Sequence, residues 1–101
     1  MIRLSKNEIQ SICHFFRMFF LQHDKLWLFG SRAKPQVKGG DIDLYIETEY
    51  TKADQVLDAK LNFLKALKGK IGEQKIDVLI KFNNFSLPIY KIAKDEGVQL
   101  V

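Results

Sequence analysis

The chain is poor in the residues that build stapled or membrane-spanning proteins. Cys13 is its only cysteine, which excludes an internal disulfide and any cysteine-rich metal site. No apolar run approaches the roughly 20 residues that a bilayer-crossing helix needs. The opening stretch, "MIRLSKNEIQ", has no apolar core followed by a small-residue cleavage site, so no secretion signal is expected. With two prolines and six glycines there is no linker or low-complexity tract, and no internal repeat is found. Histidine is scarce as well. His14 and His23 have no ligand-spaced partners and read as structural. These scarcities predict one soluble, cytoplasmic domain spanning residues 1–101, with 47% hydrophobic and 28% charged residues. The net charge of +4 reads mainly as a solvated surface, but Arg32, Lys34 and Lys38 lie beside glycines where a phosphate can be approached closely.

Hydrophobic periodicity then places the elements. Ser5-Lys6-Asn7-Glu8 has the form of a capping box. Ile9, Ile12, Phe16, Phe19 and Phe20 follow at helical spacing, predicting a helix from about Lys6 to Gln22 whose apolar surface is widened by Phe15, Met18 and Leu21. "KLWLF" (Lys25 to Phe29) reads as a buried strand stopped by Gly30, with Trp27 in the core. In "DIDLYIE", Ile42, Leu44 and Ile46 share one face while Asp41, Asp43, Tyr45 and Glu47 share the other. Thr51 and Asp54 open a second helix with a stripe of Val56, Leu57, Leu61, Leu64 and Leu67, stopped at Gly69. "KIDVLI" (Lys75 to Ile80) is another alternating strand, with Asp77 opposite Ile76, Val78 and Ile80. Ser86-Leu87-Pro88 begins a last helix to about Glu96, Gly97 ends it, and "VQLV" adds a short terminal strand. The expected fold is α/β (α+β): a small mixed sheet with helices packed on one side.

The chemistry concentrates in "LFGSRAKPQVKGGDIDLYIE", Leu28 to Glu47. Asp41 and Asp43, two apart on a strand, point the same way and repel one another. A cation between them offsets that cost, and hard oxygen ligands suit Mg²⁺, which commonly bridges carboxylates to a substrate's phosphates. Asp77 becomes a third carboxylate on the same face if its strand is a neighbour. Three carboxylates suffice to hold two metal ions about 4 Å apart for a phosphoryl displacement. Gly30 permits close backbone approach, Ser31 offers a hydroxyl and an N–H to phosphate oxygens, Arg32 adds a bidentate contact, and Gly39-Gly40 lets the loop close. Glu47 lies two pleats from the aspartates and reads as solvated or salt-bridged, and Cys13 as a small buried residue.

The combination of a strand, Gly-Ser, a short loop, Asp-x-Asp opening a second strand and a lone Asp on a later one resembles the signature of the DNA-polymerase-β-like nucleotidyltransferases. In size the chain resembles their minimal bacterial and archaeal members, and the likeness extends over nearly the whole chain to the closing "IAKDEGVQLV". The resemblance implies a polymerase-β-like palm. It makes Gly30 and Ser31 the triphosphate-binding pair, beside the nucleotide contact read above for Arg32, Asp41 and Asp43 ligands of both metals, and Asp77 the ligand of the catalytic metal that helps deprotonate the acceptor hydroxyl. One departure is visible: Arg32 to Gly40 gives nine residues between Ser31 and Asp41, one fewer than the family's usual loop.

What the resemblance implies in function is a Mg²⁺-dependent, two-ion transfer of AMP from ATP. Minimal nucleotidyltransferases are often antitoxins paired with a HEPN-domain ribonuclease toxin, and some silence it by attaching AMP to a tyrosine. The expected partner is therefore a HEPN toxin, docked for example on the first helix's apolar face, with a homo- or hetero-oligomer allowed for. The alternative is a non-catalytic nucleotide-binding antitoxin that masks its partner by direct binding. A nucleic-acid-binding domain ranks last, because no reading helix or aromatic-studded strand pair is recognisable.

Overall fold

The computed structural model describes residues 4–33, 41–83 and 85–101, and not the side chains of Ser31 and Arg32. The roles expected of those two side chains, and of Lys34, Lys38, Gly39 and Gly40, fall outside the described residues. The described elements are, in order, α1 (Lys6–Phe19), β1 (Lys25–Phe29), a 3₁₀ turn (Gly30–Ala33), β2 (Ile42–Glu47), α2 (Ala53–Ile71), β3 (Ile76–Lys81), α3 (Pro88–Glu96) and β4 (Val98–Gln99). The four strands form one mixed sheet in the order β3-β2-β1-β4. β2 runs antiparallel to β1 and parallel to β3, and β4 adds antiparallel to β1. The α+β class follows directly. Among the described residues no helix is long and apolar enough to cross a membrane.

α1 begins as its sequence dictates. The Ser5 hydroxyl accepts from Glu8 N–H at 3.1 Å, and the Glu8 carboxylate accepts from Ser5 N–H at 2.9 Å. It ends at Phe19, short of Gln22, because Asp24 claims the next backbone donor. Leu21 N–H donates to Asp24 Oδ2 at 2.8 Å instead of extending the helix. Asp24 also accepts from the Thr48 hydroxyl at 2.6 Å and from Glu49 N–H at 2.8 Å. It is almost fully buried, and it ties the end of α1 to the end of β2.

The alternation of the strands builds two separate apolar layers. Leu26 and Leu28 of β1, Ile42, Leu44 and Ile46 of β2, and Ile76 of β3 face α1 and α2. There Ile12, Phe16 and Phe20 meet Ala59, Phe63 and Leu67. Each such fully buried aliphatic or aromatic side chain contributes about 1.5–3 kcal/mol. On the opposite face Trp27 and Tyr45 pack under Ala93 and Tyr90 of α3. The helices are thus not all on one side. Two large aromatic rings at odd-numbered strand positions need a cover of their own, and α3 provides it.

Two further expectations change. The buried stripe of α2 is Val56, Ala59, Phe63 and Leu67, while Leu57 and Leu61 stand more than half exposed. The two candidate stripes lie about 100° apart on one helix. Phe63 decides between them by packing edge-on against Phe16 and Phe20, with centroids at 6.4 and 5.9 Å. Gly69 sits within the helix with open space where a side chain would go, and the stop is Gly72, whose φ of 96° favours glycine.

Replacing Asp24 with Ala leaves one hydroxyl and two backbone N–H groups without their acceptor. The expected loss is about 2–4 kcal/mol of unfolding free energy, read from urea denaturation curves.

Candidate active site

Three strand ends meet at one end of the α3 face of the sheet. Antiparallel pairing sets Phe29, the last residue of β1, opposite Asp43. Parallel pairing sets Asp43 opposite Asp77. Directly opposed residues in a sheet project to the same face. The two carboxylates therefore stand side by side on the face away from α1 and α2. The start of the pair is anchored by Ile42 N–H, which donates to Lys75 C=O at 3.1 Å. Asp41, immediately before β2, lies with its Oδ2 3.5 Å from the Lys75 ammonium.

Gly30 closes the site from the β1 side. Its φ is +72°, and a Cβ built on it would collide with the Asp43 carboxylate. Glycine is demanded here twice, by backbone conformation and by contact. The 3₁₀ turn that follows starts directly against this carboxylate.

The electrostatics follow from this crowding. Burial pushes the Asp43 carboxyl above the ordinary aspartate value. The negative charges of Asp77 and Asp41 push it further, as does a side-chain hydrogen bond to Asp77, and Lys75 acts in the opposite sense. A pair of carboxylates held in register, with Lys75 as the only nearby cation among the described residues, and abutted by bare backbone, fits a hard divalent cation. Asp43 and Asp77 are brought together, whereas Asp41 is engaged with Lys75. Among the described residues no three acidic, histidine or cysteine groups are gathered closely enough to hold a metal ion as they stand. A concavity of about 650 Å³ between α1 and the end of α2 is lined by Ser11, His14 and Lys70 and contains none of these carboxylates.

The neighbouring groups are committed elsewhere. The Tyr45 hydroxyl donates to Glu47 Oε2 at 2.8 Å, and burial together with that bond raises its pKa. Glu47 also pairs with Lys94 at 3.6 Å, and the Lys94 ammonium lies 5.3 Å from the Trp27 ring centroid. Glu47 is therefore the salt-bridged residue expected of it. Trp27 is buried, and Cys13 is half-buried with its thiol pKa raised by that burial. Two contributors escaped the sequence reading. Lys75 stands two residues before Asp77, and strand alternation alone was enough to place it on the same face. Asp24 gave no comparable signal, since its three donors come from distant segments and a helix end.

A scan against protein-family models finds no match, and a search of curated proteins finds none.

Gly30→Ala is expected to destabilise the protein by about 1–3 kcal/mol in thermal or urea unfolding, through a strained φ and overlap with Asp43. Asp43→Asn acts in the opposite direction. Because folding raises this carboxyl's pKa, the stability it contributes is complete below the ordinary value of 3.8 and is lost as pH rises through the folded value. At pH 7, without divalent cations, the variant should therefore melt a few degrees above the wild type, by about 2–6 °C, and should lose that part of the pH dependence. Added Mg²⁺ should raise the melting temperature of the wild type but not of Asp43→Asn.

Proposed function

We propose that this chain is a Mg²⁺-dependent nucleotidyltransferase that moves AMP from ATP to a hydroxyl, the acceptor being a tyrosine of a HEPN-type ribonuclease that it restrains as an antitoxin. The observation that carries the reading is the in-register pairing of Asp43 with Asp77 beside Gly30. It sets two carboxylates from different strands against backbone that a phosphate can approach. Asp41 adjoins them, one ion pair away from joining. The choice of ATP, tyrosine and HEPN partner is drawn from the family resemblance of the Gly-Ser and Asp-x-Asp stretch.

In this reading the acceptor oxygen attacks the α-phosphorus, the bond to the β-phosphate oxygen breaks, and pyrophosphate leaves. Asp41, Asp43 and Asp77 would hold the divalent cations, which when bound neutralise phosphate charge and lower the pKa of the acceptor hydroxyl. Gly30 gives the triphosphate room beside Asp43, with Ser31 and Arg32 as its further contacts. Asp77, at the outer strand of the sheet, receives the hydroxyl proton. Lys75 releases Asp41 when stronger positive charge arrives.

The second reading is a non-catalytic, nucleotide-binding antitoxin that masks its partner. It is favoured by the engagement of Asp41 with Lys75 and by the nine-residue loop from Arg32 to Gly40.

Labelled ATP, Mg²⁺ and a HEPN-type ribonuclease separate the two. The wild type should transfer label to the ribonuclease, and Asp41→Ala/Asp43→Ala should lower transfer by more than about 100-fold, beyond the loss typical when only a group that orients a metal ligand is removed. Tight binding of the ribonuclease by both proteins with no label on either would select masking instead.

A further inference from the structure

β3 is an edge strand, and among the described residues no strand pairs with its outward side. Its odd-numbered residues serve β2, as shown by Ile42 N–H on Lys75 C=O and Thr48 N–H on Lys81 C=O, both at 3.1 Å. Backbone groups alternate in direction along a strand, so Ile76, Val78 and Ile80 turn theirs to the open edge. The Tyr90 hydroxyl donates to Ile80 C=O at 3.3 Å and uses one of its two lone pairs. Natural edges are blunted by prolines, bulges or lysines. This one has no proline and a single lysine, at its end. Apolar side chains flank it on both faces. A concavity of about 430 Å³ along β3 is lined by Leu64 and Val78 from one side and by Leu79 and Ile89 from the other. Leu57 and Leu61 share the helical sector of Leu64, and together with Ile89 and Ile92 they are about half exposed.

The charge pattern names the occupant. Two copies of β3 meeting antiparallel about a two-fold axis must oppose residues of equal parity, because only the even-numbered ones offer free backbone groups. Centring the axis on Leu79 sets Val78 against Ile80 and Asp77 against Lys81, each twice. Centring it on Val78 opposes Lys75 to Lys81 and Asp77 to Leu79. Centring it on Ile80 opposes Lys81 to Leu79 and Asp77 to Asn83. Of these three registers, the one on Leu79 matches opposite charges and sets apolar against apolar.

We propose that the chain forms a two-fold dimer through β3, antiparallel and centred on Leu79, which joins the two sheets into one. Lys81 of the second copy then stands opposite Asp77, at the rim of the carboxylate pair. The dimer is independent of the chemistry proposed above. Only the meaning of that lysine for the site rests on that reading.

Sedimentation velocity on the whole chain tests the proposal. The expected species has twice the 11.7 kDa chain mass. Asp77→Lys alone and Lys81→Asp alone each oppose like charges twice and should weaken the dimer at least about tenfold, while the double swap should restore it to within about threefold. Circular dichroism checks that each variant is folded. In a Cys13→Ser background, Leu79→Cys should crosslink on mild oxidation, because facing residues of a non-hydrogen-bonded pair lie about 4.5 Å apart at Cα, within disulfide reach. A monomer up to about 200 μM, or folded single swaps that dimerise as the wild type does, would overturn the proposal. A dimer without nucleotide transfer would sink the catalytic reading alone, and a monomer that transfers would sink the dimer alone.

Discussion

Strand β2 is hydrogen-bonded along both edges, to β1 in one direction and to β3 in the other, and the remainder of the molecule depends on that double register. A slip of one residue in either pairing would send Ile42, Leu44 and Ile46 out of the core and Asp43 into it. The hydrophobic layer beneath α1 and α2 therefore does more than stabilise the fold. By holding the even-numbered positions of β2 inward, it forces Asp43 onto the opposite face, beside Asp77 and against Gly30.

Two aspartates illustrate how differently the same side chain can be used. Asp24 is buried among three hydrogen-bond donors, none of them charged, and fastens the α1–β1 corner to the end of β2. Asp43 is also partly drawn out of solvent, but faces carboxylates, and Lys75, the cation near it among the described residues, is shared with Asp41. The first arrangement closes on itself. Among the described residues the second gathers more negative charge than positive, a local imbalance that is one physical mark of a candidate site. The surrounding aromatic layer of Trp27, Tyr45 and Tyr90 is packed and hydrogen-bonded away from the carboxylates, so it fixes their platform without neutralising them.

Placing α3 on the far side of the sheet from α1 and α2 has a second effect. It covers Trp27 and Tyr45 and reaches Ile80 through Tyr90, but among the described residues no strand pairs with the outer edge of β3, which has half-exposed leucines and isoleucines on either side. Asp77, one half of the acidic pair, and the outer edge of the sheet belong to the same six-residue strand, "IDVLIK". The proposed site and the proposed association surface thus share Asp77, which stands in the carboxylate pair and also lies in the register by which a second strand would be recognised.

Local sequence determined the elements themselves: the capping box at Ser5, strands Lys25–Phe29 and Ile42–Glu47, the proline-led start of α3, and the face on which each aspartate lies. These depend on interactions within a few residues, which periodicity and caps report directly. What periodicity left open needed partners distant in the chain. Helix α1 stops early because Asp24 diverts a donor, α2 buries Phe63 rather than Leu57 and Leu61 because two phenylalanines of α1 await it, and α3 crosses to the other face because two rings there need cover. The candidate site divides the same way. The sequence by itself supplied the aspartates and the glycine, while only the tertiary structure decided that Asp43 and Asp77 are neighbours and that Lys75 holds Asp41, since strand order and register are properties of the assembled sheet.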